Sequence, residues 1–133
     1  MNRVRILLAD DHVEFSNVVE EFLEKEFDVV GKVGDGEALV TAALKLRPDI
    51  ILTDISMPIL NGIEATRKLR QVGVQARVVF LTLHSGDDFV QACLEAGASG
   101  YVLKIRLNTD PMPALHQVIQ GRTFVLAPAG IAN

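Results

Sequence analysis

The sequence predicts a doubly wound (βα)5 α/β domain, a five-stranded parallel sheet with helices on both faces. Three observations lead there. Strand-like and helix-like segments alternate five times along the chain. The strand-like runs are apolar almost throughout, which suits strands covered on both faces. Asp10-Asp11, Asp54 and Lys104 each follow the C-terminal end of such a run, and Thr82 ends another. In an open parallel sheet that edge forms the ligand crevice, so residues far apart in sequence would meet there.

Residues 4–9 form the first run, broken only by Arg5. The helix after it spans 13–26, with Phe15, Val18, Val19, Phe22 and Leu23 at helical spacing. Asp28 to Val33 is a short β-branched run. A helix follows from about Glu37, with Leu39, Ala42, Ala43 and Leu46 on one face, and Pro48 closes it. Ile50 to Thr53 is the most apolar run and the expected centre of the sheet. The loop Ser56-Met57-Pro58-Ile59-Leu60-Asn61-Gly62 turns into a helix reaching about Val72. Arg77 to Leu83 is the fourth run, and Ser85-Gly86-Asp87-Asp88 offers capping residues for a helix carrying Phe89, Ala92, Cys93 and Ala96. Ser99 to Leu103 is the fifth run. The last helix begins near Asp110-Pro111 and carries Leu115, Val118 and Ile119 to a stop at Gly121. Right-handed crossovers make consecutive strands neighbours except at one switch point. Residues 1–121 therefore read as one domain, and 122–133, with Pro128 and Gly130, as the start of a linker.

A chain of 133 residues is the size of one domain with its own core. The formal charge is −4 and the 13 basic residues are dispersed, which is no footprint for nucleic acid. The first apolar run is interrupted by Arg5 and lacks the apolar centre of a signal peptide; no apolar stretch is long enough to span a bilayer. The single cysteine, Cys93, can form no internal disulfide, and its spacing with Phe89 and Ala96 suits a small buried residue. A reducing cytoplasm is the expected compartment.

An acidic cluster at a sheet edge must bind a cation or lose charge. Mg2+ takes oxygen ligands and keeps several waters, so Asp10, Asp11 and Asp54 with a backbone carbonyl and a phosphoryl oxygen would satisfy it. Lys104 adds a mobile charge suited to a phosphate-like oxygen, and Thr82 a hydroxyl at the same crevice. A carboxylate beside a divalent metal can attack phosphorus and give an aspartyl phosphate. Each residue alone has an ordinary explanation: the acidic pair as a helix cap, Asp54 as a turn residue, Lys104 as a solvated charge, Thr82 as a β-former. Their joint placement at strand ends removes it. Tyr101, taken alone, also fits a half-buried core aromatic with its hydroxyl at the surface. His12 and His84 have no third His or Cys to complete a transition-metal site, and His116 falls on an exposed helix face.

Over about residues 3–121 the chain resembles the receiver domain of bacterial two-component response regulators. The resemblance rests on Asp10-Asp11, on Asp54 followed by Met57-Pro58 and Asn61-Gly62, on Thr82, on Ala96-Gly97-Ala98-Ser99-Gly100-Tyr101, and on Lys104. The Asp10-Asp11-His12 opening and the tail from Val118 to Pro128 are similar to the NarL/FixJ (LuxR-type) subfamily, whose members usually continue into a helix-turn-helix DNA-binding domain. The resemblance implies the flavodoxin-like, CheY-like strand order 2-1-3-4-5. It implies that Asp54 is the phosphoacceptor, served by a sensor histidine kinase or a small donor such as acetyl phosphate. Asp11 and Asp54 would ligate Mg2+ directly and Asp10 directly or through water, with the Ser56 backbone carbonyl completing the protein ligands. Lys104 would pair with the phosphoryl group, and Thr82 and Tyr101 would form the switch pair. The helix after Asp11, with Val13, Phe15 and Phe22, is the implied kinase-docking neighbourhood.

The implied output is a change in partner or dimer affinity that controls transcription through an output domain missing from this chain, which alone would touch DNA. Homodimers through the fourth to fifth helices or through the first and fifth both fit. No small-molecule cofactor, no membrane contact and no turnover beyond self-phosphorylation and self-dephosphorylation are expected. Ile105 stands where many receivers have proline, so the Lys104–Ile105 peptide is either trans or a strained cis bond. Ser56 and His84 occupy positions that tune dephosphorylation in the family. A haloacid-dehalogenase-type phosphatase shares the aspartyl nucleophile and Mg2+, but has a second aspartate where this chain has Ser56. A flavodoxin-like cofactor site needs a Gly/Ser/Thr-rich phosphate loop, and none is present. A stand-alone or phosphorylation-independent receiver acting as an interaction module is the alternative within the family.

Overall fold

Strands that are apolar on both faces must be covered on both, and the computed structural model, which describes residues 3–83, 87–103 and 124–126, is built that way. In chain order the elements are β1 (Arg5–Ala9), α1 (Val13–Leu23), β2 (Asp28–Val33), α2 (Gly36–Leu46), β3 (Ile50–Thr53), α3 (Gly62–Gln71), β4 (Arg77–Thr82), α4 (Asp87–Glu95), β5 (Gly100–Leu103) and β6 (Phe124–Leu126). All pairs are parallel, in the order β2-β1-β3-β4-β5-β6. The first five strands thus stand in the expected order, with fully buried β3 between β1 and β4.

Alternate residues of β1, β3, β4 and β5 feed two cores. Ile6, Leu8, Ile50, Leu52, Val79, Leu81 and Val102 pack with Val19 and Leu23 of α1. On the other face Leu7, Ile51, Val78, Phe80 and Tyr101 pack with Leu39 of α2, Leu69 of α3 and Cys93 of α4. Packing outweighs end effects in α1, which has no side-chain cap bond and no basic residue in its last turn. A good cap is worth ~1 kcal/mol, whereas full burial of an aliphatic side chain is worth about 1.5–3 kcal/mol, and both Val19 and Leu23 are fully buried. The next two helices add caps. Asp35 accepts from Ala38 N–H at 2.7 Å and Asn61 from Glu64 N–H at 2.8 Å. Arg47, in the left-handed region with φ of 49°, ends α2 before Pro48.

Four details differ from the sequence expectation. The first helix ends at Leu23, because Glu24, Lys25 and Glu26 bury nothing and the chain turns to insert Phe27 into the core. Val18 faces outward, since the inward stripe of α1 runs through Ser16, Val19 and Leu23. The fourth strand stops at Thr82, leaving Leu83 exposed. Phe124–Leu126, within the tail assigned to a linker, pairs with β5 as a sixth strand. Its three apolar β-formers can extend the sheet past β5, but so short a run carries no periodicity from which to read a strand. The expected helix between Asp110 and Gly121, Lys104, His84, His116 and the Lys104–Ile105 peptide lie outside the described residues.

Candidate functional site

Strand register places the acids. Ala9 of β1 pairs with Thr53 of β3, so the next residues, Asp10 and Asp54, leave the sheet side by side. Their backbones are held by the last rungs of the ladder: Asp10 N–H donates to Val33 O at 3.0 Å and Asp54 N–H to Ala9 O at 2.9 Å. Asp10 and Asp54 are buried, whereas Asp11 is exposed. Asp10, Asp11, His12 and Asp54 bring ligand-capable atoms within 4.8 Å of one another. Three carboxylates this close repel unless a cation or other positive group compensates them.

The loop after β3 orients Asp54. Its Oδ1 accepts from Ile55 N–H at 2.7 Å, and its carbonyl accepts from the Thr53 hydroxyl at 2.9 Å. Gly62 N–H, in the first turn of α3, donates to Ile55 O at 2.7 Å. A Cβ on Gly62 would stand 2.0 Å from the Asp54 carbonyl oxygen, so only glycine lets α3 begin this close to the site. Between them, Leu60 N–H donates to Pro58 O at 2.7 Å around Ile59, whose φ is +71°. That γ-turn costs ~1–2 kcal/mol for a β-branched residue. Close packing against α2 helps hold it: a Cβ on Gly36 would lie 1.9 Å from Leu60 O. Ser56, in the same loop, is exposed.

Thr82 and Tyr101 are fully buried. In the β4–β5 ladder Phe80 pairs with Tyr101 and Thr82 with Leu103. Burial, and then nearby Cys93 and Asp54, push the Tyr101 phenol well above its ordinary value of 10.0. Burial pushes the Cys93 thiol up to about 12. Both groups are therefore neutral near pH 7, and the Tyr101 O–H keeps its proton to donate. The half-buried alternative for Tyr101 is corrected: its ring belongs wholly to the core shared with α4.

The structure thus joins Asp10, Asp11 and Asp54 in one cluster, with Ser56 in the adjoining loop and Thr82 and Tyr101 on β4 and β5. The contacts of two side chains were not read from the sequence. His12 N–H donates to Asp10 Oδ1 at 2.9 Å, and its ring Nδ1 lies 3.2 Å from the same oxygen. Only its adjacency to the acidic pair hinted at this, because ring direction depends on the N-cap backbone. Arg70 bonds the carbonyls of Val74, Ala76 and Gly97 at 2.9, 2.8 and 3.1 Å, tying α3 to the start of β4 and the α4–β5 turn. No sequence motif marks it.

Known proteins resemble this chain in sequence and fold. Residues 6–113 match the response regulator receiver domain. The chain is 40% identical over 127 residues to the transcriptional regulatory protein DegU of Brevibacillus brevis, covering 93% of this chain and 53% of DegU. It is 37% identical over 126 residues to the nitrate/nitrite response regulator protein NarL of Escherichia coli (strain K12), covering 93% of this chain and 58% of NarL. The chain spans little more than half the length of these curated relatives. A crystal structure of a LuxR-family two-component response regulator from Aurantimonas sp. SI85-9A1 matches with a TM-score of 0.89 and 32% identity, over 96% of this chain and 91% of that one. The signal receiver domain of the putative response regulator NarL from Mycobacterium tuberculosis matches with a TM-score of 0.86 and 29% identity, over 92% of this chain and 100% of that one. Strand order, strand-end acids and these likenesses agree: the chain belongs to the response regulator receiver domain family of two-component systems, as a receiver of the NarL/FixJ type.

Proposed function

We propose that Asp54 accepts a phosphoryl group from a sensor histidine kinase, or from a small donor such as acetyl phosphate, in a Mg2+-dependent reaction. The observation that carries this reading is a buried Asp54 carboxylate at the end of the central strand, with Asp10 and Asp11 brought within ligand-sharing distance. The donor set fits a hard cation, since it offers carboxylate oxygens and an exposed rim at Asp11 and Ser56 where waters can remain. Asp11 and Asp54, Asp10 directly or through water, and the Ser56 backbone carbonyl would hold Mg2+. When bound it supplies charge neutralisation for the phosphoryl oxygens.

This chain's own residues then do three things. Ile55 N–H fixes the plane of the Asp54 carboxylate, so that one carboxylate oxygen forms the new O–P bond as the P–N bond to the donor imidazole breaks. Thr82 offers a hydroxyl to a phosphoryl oxygen, and Lys104 the cation that pairs with it. Movement of Thr82 is coupled to the buried Tyr101 ring on the adjacent strand, which packs with Val90 and Cys93 of α4. Phosphorylation adds about −1.5 to −2 charge, enough to bias such a bistable element, and the resulting population shift changes partner or dimer affinity. The kinase would dock beside α1, where Val13 and Val18 are exposed and Phe15 and Phe22 half-buried. Control of transcription would pass through an output domain outside this chain. Intact mass after incubation with acetyl phosphate and Mg2+ tests the reading. One phosphoryl adduct, absent with EDTA and absent from Asp54→Asn, is expected; no adduct from a folded protein, with a cognate kinase also tried, favours a phosphorylation-independent interaction module.

A further inference from the structure

Thr53, the last residue of β3, is fully buried next to Asp54, and its hydroxyl has one proton to donate. That proton goes to the backbone carbonyl of Asp54, 2.9 Å from the hydroxyl oxygen; the sulfur of Met57, at 4.0 Å, is the weaker acceptor. The same peptide unit serves the carboxylate from its other end, where Ile55 N–H donates to Asp54 Oδ1 at 2.7 Å. A trans peptide is planar, with its C=O and N–H pointing in opposite directions, so a bond that fixes one fixes the other. The bond from Asp54 N–H to Ala9 O, at 2.9 Å, anchors the residue on the β1 side but leaves this peptide free to rotate about the Asp54 Cα–C bond.

We infer that Thr53 is a positioning residue for phosphoryl acceptance: its hydroxyl sets the plane of the Asp54–Ile55 peptide, and through Ile55 N–H that plane orients the Asp54 carboxylate. The inference deepens the phosphoacceptor reading given above and rests on it. With acetyl phosphate as donor, an Asp54 carboxylate oxygen forms the O–P bond as the P–O bond to acetate breaks and acetate leaves. That in-line displacement needs the carboxylate aligned with phosphorus, so a loosened peptide loses rate rather than donor affinity.

Three variants separate the hydroxyl from the space around it. Thr53→Val replaces the hydroxyl by a methyl group, Thr53→Ser keeps the hydroxyl and loses the methyl, and Thr53→Ala loses both. Each whole chain is phosphorylated at saturating Mg2+ over a range of acetyl phosphate concentrations, with the adduct followed by intact mass, stability by urea melts and Ile55 N–H by hydrogen exchange. Maximal rates should group by the hydroxyl: Thr53→Ser within about threefold of the unsubstituted chain, Thr53→Val and Thr53→Ala slower by at least about tenfold. Half-saturating donor concentrations should agree within about twofold. Ile55 N–H should exchange faster in the two slow variants alone. Urea midpoints should group by the buried methyl instead, with Thr53→Val above Thr53→Ser. Thr53→Val as fast as the unsubstituted chain, Thr53→Ser as slow as Thr53→Ala, or rates that follow the urea midpoints, overturns the inference and leaves Thr53 a packing residue. Should Thr53→Val fail to fold, the Thr53→Ser and Thr53→Ala pair, which differs by the hydroxyl alone, decides. A folded unsubstituted chain that takes no phosphoryl group defeats the Asp54 reading itself and this inference with it.

Discussion

Gly62→Ala tests how closely α3 must approach the phosphoacceptor loop. The added Cβ would stand 2.0 Å from the Asp54 carbonyl oxygen and 3.0 Å from Phe80 Cε1. A relaxed carbon–oxygen contact is about 3.3 Å, so the start of α3 must retreat by about 1.3 Å. That movement breaks the 2.7 Å bond from Gly62 N–H to Ile55 O. Leaving such a buried donor unsatisfied costs about 1–3 kcal/mol, and overpacking a tight site costs about 1–3 kcal/mol more. Alanine returns ~1 kcal/mol of helix propensity. The expected net loss is about 3 kcal/mol, read as a lower urea midpoint in circular dichroism with an unchanged slope. Gly34→Ala is the matched control, because its Cβ meets nothing nearer than 3.9 Å. Gly62→Ala within about 0.5 kcal/mol of the unsubstituted chain, or an equal loss in Gly34→Ala, would refute the close-approach argument.

Other outcomes follow from the same geometry. Arg70→Ala removes three carbonyl contacts and should cost about 2–3 kcal/mol; Arg70→Lys, which lacks the planar fork, should restore less than half of it in the same urea assay. Stability should fall at alkaline pH. Cys93 is raised in the folded state from 9.0 to about 12, so the folded chain holds more protons in that window, and stability present below 9.0 is lost as pH rises toward about 12. Tyr101 adds to the loss above its ordinary 10.0, and Tyr101→Phe should flatten the dependence of the urea midpoint on pH there. A slope unchanged by Tyr101→Phe would assign the alkaline loss elsewhere. Asp10→Ala should weaken Mg2+ binding at least about tenfold by calorimetry, whereas Asp35→Ala, which removes the cap bond to Ala38 N–H and none of the clustered carboxylates, should cost ~1 kcal/mol of stability and leave Mg2+ affinity unchanged within about twofold.

The parallel sheet was legible because its inner strands β1, β3, β4 and β5 are apolar on both faces, a pattern that survives without any knowledge of neighbours. The cluster was legible for a related reason: acids at strand ends have no packing purpose, and parallel register carries Asp10 and Asp54 to the same edge. What escaped depends on direction rather than pattern. Val18 has the composition of a core residue and lies outward because Ser16, Val19 and Leu23 set the helix rotation. The His12 ring lies 3.2 Å from Asp10 Oδ1 and 3.4 Å from Asp11 Oδ1, a rotamer that its place in the sequence does not specify. Phe124–Leu126 joins the sheet through the edge of β5, a condition set by tertiary structure and invisible in three residues. Arg70 is one cation among many until the turns after α3 and α4 meet around it.

The most direct measurement of the central claim is the location of the phosphoryl group. The chain is phosphorylated with acetyl phosphate and Mg2+, the acyl phosphate is trapped by borohydride reduction, and the peptides are mapped by mass spectrometry. Reduction at Asp54 alone, dependent on Mg2+ and diminished in Asp10→Ala, is the predicted result. Modification at another carboxylate or at a histidine, or an unmodified Asp54 in a folded chain, would contradict the account.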